Sequence, residues 1–111
     1  MPLFEKARIE IYVPDLSARR GYQELLDSLD REFTYTFGGC TILRGLDGSY
    51  LSRQGLRTQD RVNLIYTDTP FAFEDNFERI SAFTDELREA ALEALDEEAI
   101  LVVASKVYHS E

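Results

Sequence analysis

The chain has 111 residues, 44% of them hydrophobic and 12% aromatic, with a formal net charge of −9 and a pI near 4.6. That is material for one hydrophobic core, so a single domain over residues 1–111 is expected and a disordered chain is excluded. An acidic balance of this size repels phosphate backbones and anionic bilayers, which argues against nucleic acid and membrane surfaces as partners.

The first element is a strand. Ala7, Ile9, Ile11 and Val13 alternate with Arg8, Glu10 and Tyr12, the period of a strand with one buried face. Pro14 stops it, because proline donates nothing to a ladder. Asp15 and Ser17 then offer helix caps. From Ser17 to Phe33, the residues Tyr22, Leu25, Leu26, Leu29 and Phe33 recur at helical spacing. Gly21 weakens the first turn by about 1 kcal/mol. Thr34 to Arg44 is rich in threonine, aromatic and branched residues and reads as a second strand, interrupted by a bulge or bend at Gly38-Gly39.

Asp47-Gly48 signals a tight turn. Ser49 to Arg53 reads as a short extra strand or part of a loop, and Gly55 to Asp60 as loop. Val62 to Thr67 is the third clear strand, stopped by Asp68-Thr69-Pro70. A second helix is expected from Asn76 to Leu95. Phe77, Ile80, Thr84, Leu87, Ala91 and Leu95 form its inner stripe; Glu78, Asp85, Arg88, Glu89 and Glu93 form its outer face. The last strand runs from about Ala99 to Tyr108.

The order β-α-β-β-α-β, with right-handed crossovers, resolves most simply as an α+β ferredoxin-like sandwich. Its four-stranded antiparallel sheet carries both helices on one face. The other face must meet water or a partner. Alternation places Tyr12, Ile65, Leu101 and Val103 there, or the opposite set. An apolar patch of that kind predicts a homo-oligomer, a dimer or a trimer. A cap supplied by residues 45–60 or by a terminal segment is the alternative.

Chemistry-bearing motifs are scarce. There is no nucleophile elbow, zinc-protease helix, P-loop or dinucleotide fingerprint. No catalytic residue, metal or cofactor is therefore expected. The lone Cys40 forms neither an internal disulfide nor a multi-cysteine zinc site, and a strand position favours burial over reactivity. His109, near the chain end, reads as solvated. The acids Glu93, Asp96, Glu97 and Glu98 crowd the negative end of the second helix, an unfavourable place, and their spacing matches no calcium loop. Met-Pro-Leu-Phe-Glu-Lys holds no apolar leader and no stretch is long and apolar enough to span a bilayer, so a cytoplasmic location is expected.

The middle of the chain is different. Arg44, Arg53, Arg57 and Arg61 stand among only two acids, Asp47 and Asp60. Guanidinium forks match carboxylate and phosphate. Arg44, Tyr50, Arg53, Arg57 and Arg61 are accordingly the candidate ligand-binding residues. The plainer alternative is that these arginines solubilise a hairpin or pair with acids of a neighbouring subunit.

The run Phe37-Gly38-Gly39-Cys40-Thr41-Ile42-Leu43-Arg44-Gly45-Leu46-Asp47-Gly48 resembles the second strand of the P-II-like (nitrogen-regulatory-protein-like) superfamily. Members carry a Gly-x-Thr-Val-x-x-Gly-x-x-Gly type run after their first helix, and the element order agrees over most of the chain. The resemblance implies a compact trimer that binds a small effector, often a nucleotide, in clefts between subunits. It also implies that the segment from about Gly45 to Asp60 is a flexible loop addressing a partner protein. Between the second helix and the last strand the family has a basic glycine loop. This chain has Asp96-Glu97-Glu98 there, which does not fit phosphate binding in the family's manner.

The resulting expectation is a non-enzymatic regulatory or sensory module. It self-associates and binds a small anionic ligand or partner protein through Gly45–Arg61. The alternatives are a small ferredoxin-like enzyme of the dimeric-barrel type and a purely structural interaction protein.

Overall fold

A computed structural model describes residues 3–16, 18–97 and 100–110. The elements are β1 (Leu3–Pro14), α1 (Tyr22–Phe37), β2 (Thr41–Leu51), β3 (Arg57–Asp68), a 3-10 turn (Glu74–Asn76), α2 (Phe77–Leu95) and β4 (Leu101–Ser110). The strands form one antiparallel sheet in the order β2-β3-β1-β4. Ile9, Ile11 and Val13 of β1 and Ile65 of β3 meet Leu26, Leu29 and Phe33 of α1 and Leu87, Ala91 and Leu95 of α2 in a common core. Both helices therefore cover the same sheet face. This is the ferredoxin-like α+β sandwich that the periodicities imply.

The ends of the elements depart from expectation. Helix α1 runs through Thr34–Phe37, which is not strand. Strand-favouring side chains are overruled here by packing: Phe33 and Phe37, one turn apart, have ring centroids 6.3 Å apart, and Phe37 meets Phe83 of α2 at 5.0 Å. Gly38 stops the helix, with φ 101° and its N–H on the Thr34 carbonyl. Gly38-Gly39 is thus a helix stop, and the irregularity of β2 falls instead between Leu43 and Leu46. The N-cap of α1 is Gly21, not Asp15. Ser17, the other expected cap, lies outside the described residues, as do Glu98 and Ala99. Phe77, expected inside, opens α2 and is exposed.

The largest correction concerns residues 45–60, which are not a loop. Strands β2 and β3 pair from Thr41–Tyr66, across the bulge, to Leu51–Arg57. Only Ser52–Leu56 turns, with the Ser52 N–H on the Leu56 carbonyl. Asp47 and Gly48 are strand residues opposite Arg61 and Asp60. The far half of this arm is largely exposed, so no apolar alternation marks it as strand.

Strand β3 brings a second correction. Its pairing of Ile65 with the buried Ile11 puts Asn63, Ile65 and Thr67 on the helix side. Ile65 is in the core. The uncovered face instead shows Tyr12, Leu43, Tyr66, Leu101 and Val103, with Leu64 buried beneath them on the same side. Buried polar groups cost free energy unless bonded, and these are bonded. Asn63 Nδ2 donates to the Tyr22 hydroxyl at 2.9 Å, and Asn63 Oδ1 accepts the Gly45 N–H at 2.9 Å. The Tyr22 hydroxyl donates to the Pro14 carbonyl at 2.6 Å, and Thr67 Oγ1 to the Gly39 carbonyl at 2.6 Å. This chain ties α1, the end of β1 and the β2 bulge to β3.

The acids at the end of α2 are also accommodated. Arg19 donates from Nη1 to the Leu95 carbonyl and lies 4.0 Å from Glu97, placing a cation at the negative helix end. Among the described residues no cluster of histidine, cysteine or acids is arranged to hold a metal. Among the described residues no helix is long and apolar enough to cross a membrane.

Candidate functional site

The β2–β3 arm turns the arginine-bearing segment into a surface with defined sides. Side chains alternate along a strand, so Arg57, Gln59 and Arg61 share one side, opposite Leu51, Ser49 and Asp47. All of these but Leu51, together with Gly48 and Asp60, line an open groove of about 610 Å³. Arg57 Nη2 lies 3.4 Å from Ser49 Oγ. Arg61 Nε lies 3.9 Å from Asp47 Oδ1, with both side chains well exposed. Contacts that long and that wet hold little energy. Both guanidiniums are therefore available to a ligand.

The five candidates do not form one cluster. Arg57 and Arg61 come together in the groove. Tyr50, paired with Thr58, projects to the opposite side of the arm. Arg53 sits in the turn. Arg44 sits in the bulge, near the buried Tyr22, whose hydroxyl pKa is pushed up chiefly by burial. Sequence reasoning missed Ser49 and Gln59. Their signal was the period-two spacing with Arg57 and Arg61, legible only once the segment is known to be strand.

A second polar cluster lies on the uncovered sheet face. Arg8 donates twice to Asp68, at 2.7 and 3.0 Å, and its guanidinium carbon stands 4.4 Å over the Tyr66 ring. His109 Nε2 is 2.8 Å from Asp68 Oδ2. The hydrogen bond from Arg8, aided by the charges of Arg8 and His109, holds the Asp68 carboxyl below its usual range. His109 is therefore hydrogen-bonded into this cluster, not a solvated end residue. Beside it the Tyr12 hydroxyl donates to Glu10 at 2.9 Å. Cys40 is half-buried, and burial followed by the nearby Asp30 pushes its thiol up to about 11. At neutral pH it is a thiol and a poor nucleophile.

The groove brings Arg57 and Arg61 and the neutral side chains of Ser49 and Gln59 together with two acids, Asp47 and Asp60, so the arginines are its anion-holding groups. No family model matches the chain, and no curated protein matches it. Solved structures do. CPII, a nitrogen regulatory PII-like protein from Thiomonas intermedia K12, bound to ADP, AMP and bicarbonate, gives a TM-score of 0.51 at 16% identity over 99% of this chain and 100% of that one. CPII bound to ADP, AMP and acetate gives 0.52 at 16% identity over 100% and 94%. A phage SAM lyase in complex with S-methyl-5'-thioadenosine gives 0.56 at 14% identity over 96% and 90%. At such identities the likeness is one of architecture, and on it this chain has the fold of the P-II-like proteins.

Proposed function

We propose that residues 1–111 act as one self-associating, ligand-binding domain with a regulatory or sensory role. It takes a small anionic ligand in the groove of the β2–β3 arm, where Arg57 and Arg61 supply the counter-charge. The observation that carries this reading is the groove itself: two lightly paired guanidiniums flank Ser49 and Gln59, in a chain of net charge −9. Arginines on an otherwise acidic protein attract anions locally, although Asp47 and Asp60 line the same groove. Fold neighbours that hold ADP, AMP, bicarbonate or acetate support the ligand class. Arg44 and Arg53 extend the positive field, and Tyr50 offers a ring on the arm's other side. The apolar residues of the uncovered sheet face support self-association.

Calorimetry with ADP, AMP and bicarbonate tests the reading. At least one binds the wild type, and Arg57→Gln with Arg61→Gln weakens it roughly tenfold or more while leaving the melting temperature unchanged. Silence of all three ligands, or undiminished binding by the double variant, contradicts it.

A second reading is favoured by the SAM lyase likeness together with the Asp68–His109 pair on the uncovered face. In it the chain is an enzyme acting on an adenosyl sulfur compound. Release of S-methyl-5'-thioadenosine from SAM, abolished by Asp68→Asn, is its signature. No release from SAM removes it.

A further inference from the structure

Where α1 ends at Phe37 and α2 begins at Phe77, the helices leave a cavity of about 180 Å³ over β1. Ile9, Phe37, Phe71, Ile80 and Phe83 wall it with carbon. The rings stand edge to face: Phe37 and Phe71 have centroids 6.1 Å apart at 89°, and Phe37 and Phe83 have centroids 5.0 Å apart at 82°. This arrangement presents both ring faces and ring edges, and so receives another aromatic ring in the geometry that aromatic pairs prefer. Apolar cavities of about 150 Å³ stay dry and take up benzene, so the volume suits one ring with a short substituent.

Among the described residues the cavity lining has a single charged side chain. Arg79 lies on the lining with its guanidinium carbon 5.3 Å over the Phe71 ring, and it forms no ion pair among the described residues. Among the described residues no carboxylate lines the cavity. Stacking on Phe71 pre-orients the planar fork at the edge of an apolar space. That combination is complementary to a molecule with an aromatic body and an anionic end, since a carboxylate pairs with guanidinium through two parallel hydrogen bonds.

We infer that this cavity is a binding site for small aromatic carboxylates, separate from the groove of the β2–β3 arm. The ring enters among Phe37, Phe71 and Phe83, and the carboxylate stays at the mouth on Arg79. The site lies within one copy of the chain and does not depend on the anion reading of the arm.

Phenylacetate, benzyl alcohol and acetate are the probes, titrated into the full chain with the Ile9 and Ile80 methyl resonances observed by NMR. Phenylacetate shifts both methyls at millimolar concentration. Benzyl alcohol, with the ring and no charge, and acetate, with the charge and no ring, each bind at least roughly tenfold more weakly. Arg79→Gln, at an exposed position, keeps the fold, lowers phenylacetate affinity roughly tenfold and leaves benzyl alcohol unchanged. Arg57→Gln with Arg61→Gln leaves phenylacetate binding intact. Unmoved Ile9 and Ile80 methyls, or equal phenylacetate affinity in Arg79→Gln and wild type, overturn the proposal.

Discussion

Strands β1 and β3 are neighbours in one sheet and sort their side chains in opposite ways. In β1 the apolar set, Ala7, Ile9, Ile11 and Val13, faces the helices and is buried. In β3 the residues facing the helices are Asn63, Ile65 and Thr67, while Val62, Leu64 and Tyr66 face away. The difference teaches that alternation shows a strand has two sides without showing which side is inner. Register against β1 decides that. The hydrogen bonds to Asn63 and Thr67 then make two polar side chains acceptable in a core. Apolar surface left on the outer side is what a second copy can cover.

Substitutions on the two faces should separate in size. The largest effect belongs to the helix side: Phe33→Ala, removing a fully buried ring, should cost about 3–5 kcal/mol in urea unfolding. Asn63→Ala should cost about 2 kcal/mol, because it leaves the Gly45 N–H without its acceptor and removes a bond to Tyr22. An Asn63→Ala variant as stable as wild type would show that the polar chain is incidental and that apolar packing alone sets the face.

Asp68→Asn probes the uncovered face and should cost about 1 kcal/mol at neutral pH. The folded carboxyl lies below its ordinary value near about 4. Its contribution is therefore full above that ordinary value and is lost as pH falls through the lowered one. The variant should show a shallower acid-side decline in stability, measured by urea midpoints across pH. The smallest effect belongs to the arm: Arg57→Gln and Arg61→Gln should change stability by less than about 0.5 kcal/mol, since neither guanidinium makes a strong contact.

The reasons for what was legible are local. Strand β1, the body of α2 and the order of elements follow from clear periods of two and near 3.6. The tail of α1 reads as strand because Thr34, Tyr35 and Thr36 favour strands, while the contact that holds them helical, Phe37 on Phe83, joins residues far apart in sequence. The outer half of the β2–β3 arm has water on both sides, so its strands carry no apolar stripe. Arg57 and Arg61 stood out by charge, but their common side with Ser49 and Gln59 needs the register. The Arg8–Asp68–His109 network draws on three strands, and the aromatic cavity draws on both helices, β1 and the segment after β3. Neither has a signature in any single stretch.

Light scattering on wild type and on Leu43→Glu with Leu101→Glu tests most directly whether the bare side of the sheet sits against another copy. Both leucines are exposed on that side, so the substitutions spare the core. Wild type should have two or three times the 12.8 kDa chain mass, and the variant should fall to a single chain with unchanged circular dichroism. A wild-type protein that scatters as one chain at micromolar concentration would contradict the account.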